Sequence, residues 1–263
     1  MNVIKSTLIL SSILFVAAPS NAAVDQVQQG LEIAIKMDQK DSGWIDQENK
    51  LEMALFNSQG EKSVRYMRNR ALEVENDGDK TLVIFDKPAD VSGTAFLSYT
   101  HKQGSDDQWL FLPALKRVKR IASDNKSGPF MGSDFAYEDI TSQEVEKYTY
   151  KFIQEDVLND KKMLVIERYP TSETSGYSKQ IVWVDAEHYI SHKIEYYDRK
   201  GALLKTQQFF DYKQYSNKYW RADKLVMVNH QKNTKTEILL SDYSLGNGLT
   251  ANQFSTRALS RLR

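Results

Sequence analysis

Lys147-Tyr148-Thr149-Tyr150-Lys151-Phe152-Ile153 sets Tyr148, Tyr150 and Phe152 on one side of an extended chain, with Thr149 and Lys151 on the other. Side chains alternate faces along a strand, so this spacing predicts a β-strand with one oily and one wet face. The alternation recurs at residues 190–197, where Ile190, Ile194 and Tyr196 share a side. Working outward, strands are also predicted at residues 163–169, 178–184, 203–212, 225–230 and 237–243. Towards the N-terminus they are predicted at 82–85, 95–101, 108–112 and 116–121. Leu51, Met53 and Leu55 form a further period-two run, and so do Leu72 and Val74 against Glu73 and Glu75. The separators carry turn residues, among them Asn57-Ser58-Gln59-Gly60, Asn159-Asp160 and Asp198-Arg199-Lys200-Gly201. Short links between successive strands imply antiparallel neighbours. The predicted fold class is therefore mostly β (α+β): a meander of about a dozen strands that must close into a barrel, split into a sandwich or curl around a cover.

Residues 24–40 change period. Val24, Val27, Leu31 and Ile35 recur at helical spacing, with Ile33 and Met37 widening the stripe. That predicts one amphipathic helix, the obvious cover for the concave side of the sheet. Ahead of it, Lys5, the apolar run 7–18 and the small residues Pro19-Ser20-Asn21-Ala22 read as a cleaved secretory signal peptide over residues 1–22. The apolar run is shorter than the roughly 20 residues a spanning helix needs. The remainder, 23–263, is expected to be a single domain, soluble outside the cytoplasm and not lipidated, because no Cys follows the small residues.

The 263 residues are 41% hydrophobic and 27% charged, which excludes a disordered chain. Lys+Arg and Asp+Glu both number 35, so the chain lacks the positive field that holds a nucleic-acid backbone, and no nucleic-acid partner is expected. Zero Cys removes disulfides, thiol catalysis and thiolate metal sites. Other chemistry is sparse. His188 and His192 would be a metal pair on a helix, but across an extended strand four residues span about 13 Å. Ser133 lacks the second Gly of a nucleophile elbow, and Glu138 and Asp139 are adjacent and point to opposite faces. No catalytic residue, metal site or cofactor is expected.

The 14 Tyr, 11 Phe and 4 Trp are sufficient to line an apolar concavity as well as fill a core. Candidate lining residues are Phe96, Trp109, Phe111 and Phe130, together with Phe135, Tyr137, Tyr150 and Trp183. A second cluster is cationic: Lys116-Arg117-Val118-Lys119-Arg120-Ile121 precedes the Gly-rich acidic stretch 128–139. An Arg leaning inward from this strand would need a carboxylate or a bound phosphate, since an unpaired buried charge is costly. Asp134, Glu138 and Asp139 are its candidate partners. The alternative is a solvated edge strand protected by charge.

These residues also carry a family likeness. Leu112-Pro113-Ala114-Leu115, Arg117-Val118, Arg120-Ile121, Phe130-Met131-Gly132-Ser133-Asp134-Phe135 and Tyr137-Glu138-Asp139 resemble the LolA-like outer-membrane lipoprotein-sorting proteins of Gram-negative bacteria. Pro88-Ala89-Asp90-Val91 with Gly93-Thr94, and Phe254-Ser255-Thr256-Arg257, match the same family. The resemblance implies a half-open antiparallel barrel of about 11 strands, with an N-terminal helix and short lid helices over an apolar concave face. It further implies a periplasmic, non-enzymatic carrier that shelters the acyl chains of a lipoprotein or lipid on the way to the outer membrane. An RND-type inner-membrane exporter or an outer-membrane acceptor is the implied partner; an exporter adaptor without lipid cargo is the alternative. Arg117, Arg120 and Asp134 carry over as motif positions, as candidate contacts to a headgroup or partner.

Overall fold

The computed structural model describes residues 21–261, with side chains from Asp25 onward. The leader expected over residues 1–22 lies outside the described residues apart from its last two positions. Helix α1 (Asn21–Asp41) leads into six strands: β1 (Asp46–Phe56), β2 (Lys62–Leu72), β3 (Lys80–Lys87), β4 (Ala95–Tyr99), β5 (Asp107–Leu112) and β6 (Arg117–Ile121). After a long connection follow β7 (Tyr148–Leu158), β8 (Lys161–Pro170), β9 (Tyr177–Asp185) and β10 (Ser191–Asp198). The last strands are β11 (Leu203–Tyr215), β12 (Tyr219–Asn229) and β13 (Thr234–Leu245), and the short helix α2 (Thr256–Leu259) ends the described chain. No helix among the described residues is long and apolar enough to cross a membrane.

All strands join one 13-stranded sheet in the order β6-β5-β4-β3-β2-β1-β13-β12-β11-β10-β9-β8-β7, so the count is 13 where about 11 were expected. Every pairing is antiparallel. The hairpins use the turn chemistry read from the sequence: Asn159 and Asp160, both at positive φ (51° and 62°), make the two-residue turn between β7 and β8. Val83, Phe85 and Phe96 from one half of the sheet share a core cluster with Tyr150, Ile166, Val182 and Ile194 from the other. The sheet therefore curls until its two wings face each other. Its free edges, β6 and β7, are consecutive in the chain, and the seam between them is where a closed barrel would have paired them. Residues 122–147 bridge that seam. The short helices expected over the concave face take the form here of three-residue 3₁₀ turns, Phe130–Gly132 and Tyr137–Asp139 among them.

Strand β2 differs from the reading of the sequence, which placed period-two structure at Leu72 and Val74 and left 62–71 unassigned. Its three Arg mask the alternation. Each is held in the folded state: Arg68 by Asp86 (Nη2–Oδ1 2.8 Å), Arg70 by Glu48 (2.7 Å), and Arg65 by the carbonyl of Met131. Cross-strand charge pairs thus do here what apolar alternation does elsewhere.

Helix α1 covers the edge of β7 with Leu31, Ile33 and Met37 of the predicted stripe packed on the core, but the stripe is rotated from the one predicted. Gly30, Ile33 and Ala34 are buried, whereas Val27 is 50% and Ile35 37% exposed. The cause is Gly30. A Cβ there would lie 2.7 Å from the backbone of Lys151 and Phe152, so the bare backbone lets the helix press onto β7. That contact fixes the rotation of the helix and turns the Val27 and Ile35 flank outward. It also covers one sheet edge, while the opposite edge, β6, is studded with exposed cations. On the outer surface Phe254 and Leu259 fill a second, smaller cluster over Leu82, Ile84, Leu97 and Phe111.

Candidate functional site

Between the curled wings lies a cavity of about 1430 Å³. This exceeds the roughly 300–1,000 Å³ of an ordinary small-molecule pocket. Its wall is mixed: Leu51, Val83, Ile166, Val182, Ile194 and Leu225 form an apolar tract, with Ala34 and Met37 of α1 as cover, while Asn69, Thr81, Gln207 and Arg221 add polar groups. Phe135, Ile140 and Val145 of the bridging segment enter from the seam. The mouth is formed by the links 42–45, 73–79, 186–190 and 216–218, which the antiparallel order places at one end of the sheet.

The bridging segment is clamped rather than loose. Asp139 accepts hydrogen bonds from the Ala136 amide (2.6 Å) and the Tyr177 hydroxyl (2.8 Å), and pairs with the buried Lys205 (2.6 Å). Glu138 accepts from Ser175 Oγ and from the Gly176 amide, both at 2.8 Å. Asp134 accepts from the hydroxyls of Thr234 and Thr236 on β13. Phe130 stacks edge-on to Phe96 (5.3 Å) and to Tyr137 (5.4 Å), making an aromatic plug beside the cavity.

The candidate residues thus separate into groups. Phe135 and Tyr150 line the cavity. Phe96, Phe130 and Tyr137 pack into the plug. Phe111 lies in the outer cluster with Trp109 against it. Trp183 has the parity opposite to the wall residue Val182, donating to Asp156 Oδ2 (2.8 Å) under the Lys193 ammonium, which stands 3.3 Å from the ring centroid. Arg117 and Arg120 are exposed on β6, and Arg120 pairs with Asp107 rather than with the acidic stretch. None of Asp134, Glu138 and Asp139 meets a β6 cation, because each is already held as described. His188 stacks on Trp220 (4.6 Å) and Ser133 Oγ donates to the Phe130 carbonyl (2.8 Å).

The inward cations are Lys205 on β11 and Arg168 on β8, both buried. Sequence parity carries the signal for Arg168, which follows Leu164 and Ile166 at period two on what proves to be the cavity face. At the mouth the sign reverses. Burial pushes the Asp79 carboxyl up to about 6, against hydrogen bonds from Ser142 Oγ (3.0 Å) and the Val74 amide (3.2 Å). Burial, and then the neighbouring Asp79, push Glu144 up to about 7. Both groups bind protons more tightly folded than unfolded, so stability falls as pH rises from the ordinary carboxylate range through 6 to 7. With allowance for solvent screening at the mouth, the loss between pH 4 and 7 is about 1–3 kcal/mol, to be read from urea midpoints at the two pH values. Asp79→Asn should flatten that slope.

Three solved structures share this architecture. A domain from Vibrio parahaemolyticus named for outer membrane lipoprotein sorting is 54% identical over 89% of this chain and 100% of its own, with a TM-score of 0.88. The chain belongs to the LolA-like family. A DUF1329 family protein from Desulfovibrio piger is 28% identical over 89% of this LolA-like chain and 99% of its own (TM-score 0.84). A LolA superfamily protein from Nitrosomonas europaea, at 20% identity over 89% and 99% (TM-score 0.70), shares the fold. A family model described only as covering uncharacterized proteins matches residues 77–261 of the LolA-like chain, which takes in the seam and its bridge. Among curated proteins, none matches it.

Proposed function

We propose that this LolA-like chain is a non-enzymatic periplasmic carrier that shelters acyl chains of a lipid or lipoprotein in its cavity and delivers them toward the outer membrane. The observation carrying this reading is the apolar tract Leu51, Val83, Ile166, Val182, Ile194 and Leu225 in the wall of the roughly 1430 Å³ cavity beneath α1 and the bridging segment. An acyl chain of about 16 carbons costs on the order of 12 kcal/mol to expose to water, at about 0.8 per methylene, so a carrier must offer a comparably oily surface. The sorting role named for the Vibrio domain supports the same reading. The proposed partner is an RND-type exporter or an outer-membrane acceptor. The exposed Arg117 and Arg120 on the open β6 edge are its proposed contact; Asp134, held by Thr234 and Thr236, is better explained as a clamp.

The test is to purify the protein from periplasm without detergent and extract it with organic solvent. Stoichiometric acyl species are expected. A protein that emerges free of acyl material and takes up none from vesicles overturns the carrier.

A further inference from the structure

Arg168 differs from Lys205, the other cation buried among the described residues, which is paired with Asp139. It is 9% exposed, lines the cavity, and makes no ion pair with any carboxylate among the described residues. Its Nε donates to Gln180 Oε1 (2.7 Å) and the Tyr148 ring stacks 4.7 Å from its Cζ. The two terminal nitrogens have no hydrogen-bond partner among the described residues. The neighbouring carboxylates are taken: Asp139 by Lys205, and Glu138 by Ser175 and Gly176. The surroundings are aromatic and aliphatic, with Tyr150 opposite it on β7 and Ile166 and Val182 one step along the wall. A guanidinium kept charged in such a place needs an anion, and its planar fork matches the two oxygens of a carboxylate or phosphate.

We infer that Arg168 is the receptor for the anionic head of the acyl ligand, a carboxylate or phosphate bound deep in the cavity with its hydrocarbon chain running along the apolar tract of the wall toward the mouth. The inference rests on the carrier reading and narrows its cargo. Arg168 stands seven residues along β8 from Lys161, about 23 Å from the mouth end of that strand. A head seated there leaves the tail against Ile166, Ile194 and Leu225 and clear of the carboxylates at the rim. Acyl groups joined by ester and amide bonds, as in a lipoprotein, are neutral and would leave the fork unmet. Free fatty acids and single-chain phosphate esters would meet it.

The experiment compares a fluorescent polyene fatty acid with the alcohol of the same chain, each titrated into delipidated wild type, Arg168→Met and Arg168→Lys, with inorganic phosphate and acetate as competitors. Wild type should bind the acid at least about tenfold more tightly than the alcohol, the scale of one charge-assisted hydrogen-bonded pair. Arg168→Met should bind both alike, and Arg168→Lys should keep part of the preference. Phosphate or acetate that displaces the acid without any chain of its own would place a free anion at the fork and overturn the lipid-head assignment. Acid and alcohol binding equally to wild type would overturn the inference and leave the carrier standing; neither binding would overturn the carrier. Should Arg168→Met fail to fold, the acid-to-alcohol ratios of wild type and Arg168→Lys still decide, because loss of charge geometry alone must lower the ratio.

Discussion

Lys205→Met should lower the stability of this protein by about 3–5 kcal/mol, the scale for stripping one partner from a buried ion pair. The Lys205 and Asp139 side chains are 4% and 2% exposed, and their charged atoms stand 2.6 Å apart. Lys205 Nζ also donates to the Asp134 carbonyl (2.8 Å), so the ammonium ties β11 to the bridging segment at two points. Removing it leaves the Asp139 carboxylate in an apolar layer with only the Ala136 amide and the Tyr177 hydroxyl as donors. Restoring neutrality should recover most of the loss: in the double variant Lys205→Met with Asp139→Asn the amide oxygen can accept from the Ala136 amide, its NH2 can donate to the Tyr177 hydroxyl oxygen, and no net charge is buried. Urea denaturation of the two variants separates charge from packing. A double variant as unstable as the single one would show that shape, rather than the uncompensated carboxylate, sets the effect.

Phe135→Ala should cost about 3–5 kcal/mol, as expected for emptying a fully buried aromatic site. Phe135 is 1% exposed and belongs to the main core cluster while also touching the cavity. Its carbonyl accepts from the Phe130 amide (2.6 Å), closing the tight loop that carries the plug. The loss should therefore appear in two readouts: a lower urea midpoint, and weaker retention of a bound acyl chain as the bridge loosens over the seam. Trp183→Ala, on the outer face, should leave retention unchanged. Equal retention in the two variants would remove the bridge from the binding wall.

Most of the architecture was legible because the residues that build it act locally. Alternation at Tyr148, Tyr150 and Phe152 and the turn pair Asn159-Asp160 need only their neighbours to be read. Strand β2 was missed because its Arg are satisfied by Asp86, Glu48 and a distant carbonyl, partners that no local pattern reveals. The Val27 and Ile35 flank of α1 was misjudged for a related reason: Gly30 counts as a weak helix residue until β7 is seen lying against it. The site was legible in kind but not in place. An inward Arg in need of an anion was one of two readings of Lys116–Ile121, where four cations crowd together; the other, an edge strand protected by exposed charge, is what β6 shows, and the inward Arg is Arg168. Parity with Leu164 and Ile166 held that signal, diluted because Met163 and Val165 on the other parity are also buried. Aromatic counts could not assign faces, since Trp183 and Val182 differ by one residue and that residue reverses the side.

The sheet has its first strand and its last in the middle, bonded to each other along Gln47–Phe56 and Lys235–Leu245. Until β13 is available, β1 has a partner on one side only and no strand pairing joins the wing β2–β6 to the wing β7–β12. A chain that emerges from its N-terminus therefore stays unlatched at this seam until nearly all of it is present, and the hollow is closed last, by the same stitch that joins the two ends.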